Sequence, residues 1–256
     1  MRKLLLIVIA AVALACAPAA QAAPINGTFD VTIWQGAGNG VSTDPNNQAL
    51  ASNPLASPAD LIATFTYTGG LNFFQNGNTN QDGSLATFIG SGGGSINGCV
   101  GTAAGCASSS SLGTAIVSST NYGTTTLFKF TPTAPVNGGS GIITHDDGIG
   151  LYQPLGTLIT PLSDSAPTSP EDTSYTLTAG SFDLFYVEAN GLPAQLDFEY
   201  TDPTTVPEPS TCVLFGTALL ALGFGLIRRK DRRLKLGAGQ VPHKSSPLVR
   251  KRRRAF

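Results

Sequence analysis

Apolar residues recur at every second position in several short stretches of the chain. Over residues 28–34 this spacing puts Phe29, Val31 and Ile33 on one face. Side chains alternate across a β-strand, so such a pattern predicts a strand with one buried side. Residues 61–67 alternate in the same way and end at Gly69-Gly70. Residues 124–131 set Thr126, Phe128 and Phe130 against Leu127 and Lys129. Residues 141–145 and 149–152 read as two more strands, interrupted by Asp146-Asp147-Gly148. Residues 182–188 place Phe182, Leu184 and Tyr186 opposite Asp183, Phe185 and Val187, and residues 195–200 return as an edge-like strand. Residues 84–89 read as a short strand. Residues 44–58, 72–83 and 154–171 are turn-rich, and the Gly/Ser/Ala-rich residues 91–113 read as a long surface loop. No stretch of the body has helical periodicity over ten or more residues. Short strands between Gly, Pro and Asn clusters predict an all-β sandwich or barrel.

Two apolar runs depart from this pattern, one at each end. Arg2-Lys3, an apolar stretch at 4–17 and the Ala20-Gln21-Ala22 cleavage pattern make residues 1–22 a secretory signal peptide. Cys16 lies inside it, and the residues before that cysteine make a poor lipoprotein signal. Near the other end, residues 211–227 carry no charge. As a transmembrane helix they would reach about 25 Å at roughly 1.5 Å per residue, at the short end for a bilayer core of about 30 Å. Arg228-Arg229-Lys230 follow at once, on the side expected to stay in the cytoplasm. The expected order is signal peptide 1–22, exported domain 23–205, sorting segment 206–230 and basic cytoplasmic tail 231–256.

Charge separates these parts more sharply than the whole-chain net of −1 suggests. Residues 23–205 hold fourteen acids, from Asp30 to Asp202, and one base, Lys129. So acidic a body repels nucleic acid and anionic lipid. The tail holds most of the compensating cations, which suits a topological lock and attraction to anionic lipid. Cys99 and Cys106 are the body's two cysteines. In an oxidising compartment they bridge, closing a small Gly/Ala loop; the alternative is two free thiols.

Pro207-Glu208-Pro209, the Gly-rich apolar helix and Arg228-Arg229-Lys230, joined to a signal peptide, resemble the PEP-CTERM sorting signal of exported bacterial proteins. That resemblance implies processing at the inner membrane by an exosortase-type enzyme and delivery to the cell surface or extracellular matrix. Such signals usually stop soon after the cations, whereas this chain runs on to Phe256. An ordinary single-span anchor is the other reading.

The succession from Gly141 to Tyr200 resembles the second half of a PA14-like, jelly-roll-type β-sandwich. The matching pieces are Asp146-Asp147-Gly148 after an apolar strand, Leu151-Tyr152, Ala179-Gly180 before an aromatic strand, Glu188 at its end, and Leu196 with Phe198. The resemblance implies a non-catalytic binding module in which Asp146 and Asp147 hold a Ca²⁺ that contacts glycan hydroxyls, an exopolysaccharide for instance. Neighbouring Asp residues on a strand point opposite ways, so sharing an ion requires a kink, which a cis peptide would supply. Ca²⁺ takes six or more oxygens, for which Asn190 and Asn137 are candidate donors. The bland alternative is a hairpin turn, where Asp and Gly are favoured for backbone reasons alone.

Catalytic constellations are weak. His145 is the body's one histidine, there is no G-x-S-x-G, and no spacing singles out a carboxylate pair for glycoside hydrolysis. The chain therefore reads as a non-enzyme, with a structural matrix protein and a secreted carbohydrate hydrolase as alternatives.

Overall fold

The alternation in residues 28–34 extends into β2 (Asn26–Ala37), which bonds on one flank to β3 (Leu61–Gly70) and on the other to β8 (Thr124–Pro132). The computed structural model describes residues 22–78, 80–153 and 156–202, all within one compact unit. Residues 1–21, the Pro207-Glu208-Pro209 motif, the run 211–227 with Arg228, Arg229 and Lys230, and the basic tail lie outside the described residues. Among those described, no helix is long and apolar enough to cross a membrane.

Two antiparallel sheets dominate. The larger has the order β10–β12–β8–β2–β3–β5, adding β10 (Ile149–Tyr152), β12 (Asp183–Glu188) and β5 (Ser95–Gly101). In the smaller, β13 (Ala194–Thr201) lies beside β9 (Gly139–Asp146), which lies beside β11 (Glu171–Leu177). The free flank of β13 takes β1 (Ala23–Pro24) at one end and β4 (Asn72–Gln75) at the other. A hairpin of β6 (Cys106–Ser108) and β7 (Ser111–Leu112) stands apart.

The core lies between the two sheets. Phe29, Val31 and Ile33 are all buried, as are Phe128, Phe130, Leu184 and Tyr186 from the larger sheet and Ile143, Leu196 and Phe198 from the smaller. Each such side chain is worth about 1.5–3 kcal/mol when fully removed from water. On the outer face of the larger sheet, Leu127, Phe185 and Val187 form a second cluster with Ala49, contributed by the turn-rich 44–58 segment.

Four expectations need correction. Residues 84–89 form no strand; Leu85–Ser91 is a helix, α1, with Ser84 at its N-cap. Leu85, Phe88 and Ile89 have the spacing of one helix face and all three are buried. The 91–113 stretch is not simply a loop, because it contains β5, β6 and β7. Its small residues allow backbone to approach backbone: a Cβ on Gly101 or Gly105 would lie 2.1 or 2.0 Å from the Ile62 carbonyl oxygen. The Cys99–Cys106 disulfide ties β5 to β6. The turn-rich 72–83 segment opens with β4. Finally, β13 is interior to its sheet, with β9 on one side and β1 and β4 on the other.

Candidate functional site

Asp146 ends β9 in the smaller sheet, and Ile149 begins β10 in the larger. These strands do not pair with each other, so Asp146-Asp147-Gly148 is not a hairpin turn but a corner where the chain passes between sheets. The kink comes from Asp147 at φ +66°, a left-handed conformation that Asp tolerates better than most residues. The expected cis peptide is absent here: among the described residues, the cis bond joins Leu192 to Pro193. Gly148 is needed for closeness, since a Cβ there would lie 2.0 Å from the Ser165 carbonyl oxygen.

A second corner, residues 189–193, carries the chain back from β12 to β13. Asp147 fastens the two together. Its Oδ2 accepts the backbone N–H groups of Ala189 (2.6 Å) and Asn190 (3.1 Å), while the Val187 N–H donates to the Gly148 carbonyl (2.9 Å). The Asp147 N–H in turn donates to Asp146 Oδ1 (3.0 Å). His145 is buried and braces the same bend, its Nδ1–H donating to the Asp147 carbonyl (2.6 Å) and its Nε2 meeting Thr173 Oγ1 (3.0 Å). Burial pushes the His145 pKa down, against the opposing pull of the Asp147 carbonyl and of Glu171, Asp164 and Asp172. Both ring nitrogens of His145 are thus engaged within the fold.

Beneath the corner lies Glu188, fully buried. Its Oε1 accepts from Ser118 Oγ (2.9 Å), and its Oε2 lies 2.6 Å from the Tyr186 hydroxyl. That hydroxyl also lies 2.8 Å from the Asp146 carbonyl oxygen. One phenolic proton cannot serve two acceptors. A proton on Glu188 resolves the contact: Glu188 donates to Tyr186, and Tyr186 donates to Asp146. Desolvation acts in the same direction, raising the Glu188 pKa well above its usual value, with the nearby charge of Asp147 adding to it. The same burial raises Tyr186.

An open cleft of about 470 Å³ lies over this network. Asp146 and Asp147 line it together with Tyr122, Asn190 and Leu192, and with Pro167, Pro170 and Pro193. Burial lifts Asp146 to about 6, against the opposing N–H of Asp147. It lifts Asp147 to about 7, where the Ala189 N–H opposes it and the Asp146 charge adds to it. The Tyr122 pKa is raised by burial and then by the Asp147 charge.

The fold thus brings together Asp146, Asp147 and Asn190, but not Asn137. Asn137 donates to Asp202 (3.0 Å) near the other end of β13. Ser118 and Tyr122 gave no signal in the sequence: each sits in an irregular segment far along the chain from the Asp pair. Cys99 and Cys106 do not line the cleft. Among the described residues, no group of three His, Cys, Asp or Glu side chains is placed to hold a metal ion. No known family, curated protein or solved structure matches the chain.

Proposed function

We propose that the chain is an exported surface or extracellular-matrix protein whose β-sandwich is a non-catalytic module binding a glycan in the corner cleft. The observation that carries this reading is the placing of two carboxyl groups, Asp146 and Asp147, beside Tyr122 and three prolines around one opening. Carboxylates accept from sugar hydroxyls, and flat apolar surfaces take the C–H face of a sugar ring. The order of Asp146-Asp147-Gly148, Leu151-Tyr152, Ala179-Gly180 and Glu188 supports a PA14-like sandwich, in which Ca²⁺ would mediate the contact. Asp146 Oδ2 has no donor among the described residues, and Asn190 lines the same cleft. With Asp147 these side chains would supply part of a Ca²⁺ oxygen shell, and sugar hydroxyls and water would complete it. The ion would supply compensating charge and orient the hydroxyls.

Ala23 pairs with Tyr200, whereas Asp146 pairs with Gln195, so chain entry and cleft lie at opposite ends of β13. The precursor would be processed at the inner membrane by an exosortase-type enzyme. Nucleic acid is no partner of so acidic a body.

Calorimetry with exopolysaccharide from the producing cells, with Ca²⁺ and with chelator, tests the proposal. Binding heat that is reduced by chelator and lost in Asp146→Asn supports it. No heat in either buffer overturns it in favour of a purely structural matrix protein. Release of reducing ends, lost in Asp147→Asn, overturns it in favour of a hydrolase.

A further inference from the structure

The chain contains six Asn-Gly steps, at residues 26, 39, 76, 97, 137 and 190. An Asn side chain followed by glycine can be attacked by the next backbone nitrogen, provided that no group elsewhere in the fold holds that nitrogen and the backbone can bend to it. Folding treats the six differently. The Gly40 N–H is committed to the Tyr122 carbonyl (3.2 Å), and the Asn39 amide donates to Asp44 (2.9 Å). The Gly191 N–H donates to Ser118 Oγ (3.1 Å), beneath the corner. Asn137 is held by Asp202 (3.0 Å). Asn26 lies in the paired strand β2, and Asn97 pairs with Thr66 of β3 beside an irregularity in the β3–β5 register.

Asn76 is different. It is exposed, it follows the end of β4, and the Gly77 N–H points back to its own neighbour's Asn76 Oδ1 (2.9 Å). That bond holds the side-chain carbonyl against the nitrogen that would attack it. We propose that Asn76 is a self-modifying site, where the Gly77 nitrogen closes on Asn76 Cγ and the residue ages to aspartate or isoaspartate.

The step balances without a redox partner. Base takes the Gly77 amide proton, the N–Cγ bond forms, and the Cγ–Nδ2 bond breaks. Nδ2 leaves as ammonia, carrying the returned proton. Water then opens either carbonyl of the cyclic imide. The isoaspartate product inserts a methylene into the main chain and adds one negative charge. It does so where space is short: a Cβ on Gly77 would lie 2.5 Å from Leu192 Cβ and Cδ1. Leu192 is a wall of the corner cleft, so the modification would act at its rim, whatever the cleft binds.

Incubating the full exported protein at mildly alkaline pH, native and in urea, followed by peptide mass mapping and an isoaspartate assay, tests the proposal. Opening of the fold should limit attack at Asn39 and Asn190, slowing them about tenfold or more in the native state. Asn76 should change little on folding and lead the native series, and Asn76→Gln should remove that product and leave the other five unchanged. Native protection of Asn76 equal to that of Asn190, or a different Asn leading in the native protein, would overturn the proposal.

Discussion

Between the sheets, Phe73, Phe88, Phe128, Phe130 and Tyr186 pack ring against ring; at the corner, Asp146, Asp147 and Glu188 are each held by hydrogen bonds. Tyr186 belongs to both regions. Its ring stacks on Phe88, with centroids 5.6 Å apart, and its hydroxyl joins the Glu188 network. The middle is held by buried area, which is non-directional and indifferent to pH. The corner is held by directed bonds to groups whose burial is tolerable only with a partner or a proton. The two regions should therefore fail in different ways, although one tyrosine connects them.

The largest effect tests the middle. Phe128→Ala removes a fully buried ring that contacts Phe88, Phe130 and Tyr186. It should cost about 3–5 kcal/mol in urea unfolding, by the same amount at mildly acidic and neutral pH.

The pH dependence of the wild type tests the corner. Asp146 and Asp147 are raised to about 6 and about 7, and Glu188 is raised well above its usual value. Unfolded carboxyls titrate near 4, so above about pH 4 the folded corner keeps protons that the unfolded chain has released. Its stabilisation is full below that value and is lost as pH rises through the folded pKa values. The slope reaches about 1.4 kcal/mol per pH unit for each titrating group. Asp197, also raised, adds to the slope. His145 is lowered and opposes it, losing stability as pH falls below about 6.5. Melting in chelator should therefore give a higher midpoint at about pH 5 than at about pH 7. The double variant Asp146→Asn/Asp147→Asn should flatten that difference; an equal slope in the variant would place it elsewhere in the protein.

Asp147→Ala leaves the Ala189 and Asn190 N–H groups without their acceptor. A loss of about 1–3 kcal/mol is expected, together with faster hydrogen exchange at those two amides and little change at Phe130. The smallest effect comes from Ser84→Ala, which removes the cap of α1 and should cost about 0.5–1 kcal/mol, read as a small drop in melting temperature. Its helix carries Phe88 into the middle, so this loss should be independent of pH.

The same contrast explains what was legible in the sequence. The middle could be read because one-sided strands repeat with period two: Phe29, Val31, Ile33, Phe128, Phe130, Leu184 and Tyr186 are all buried as that period requires. α1 was missed because seven residues are too few to separate helical from strand spacing by pattern alone; the cap at Ser84 was the available signal. β5 and its neighbours were missed because Gly and Ser carry no hydrophobic alternation, although their smallness permits the close contacts with Ile62. At the corner, Asp146 and Asp147 stood out, but a sheet-to-sheet crossing and a hairpin turn use the same residues. Nothing local tied that pair to Ser118, Tyr122 or the second corner. Those partners meet only through sheet topology.

Chemical-shift mapping on the isotope-labelled exported protein, titrated with oligosaccharides prepared from the producer's own exopolysaccharide, tests the account most directly. Saturable shifts clustered at Tyr122, Asp146, Asp147, Asn190 and Leu192, absent in Asp146→Asn, are expected. Shifts spread over the outer face of the smaller sheet, or none up to saturation of the sugar, would contradict it.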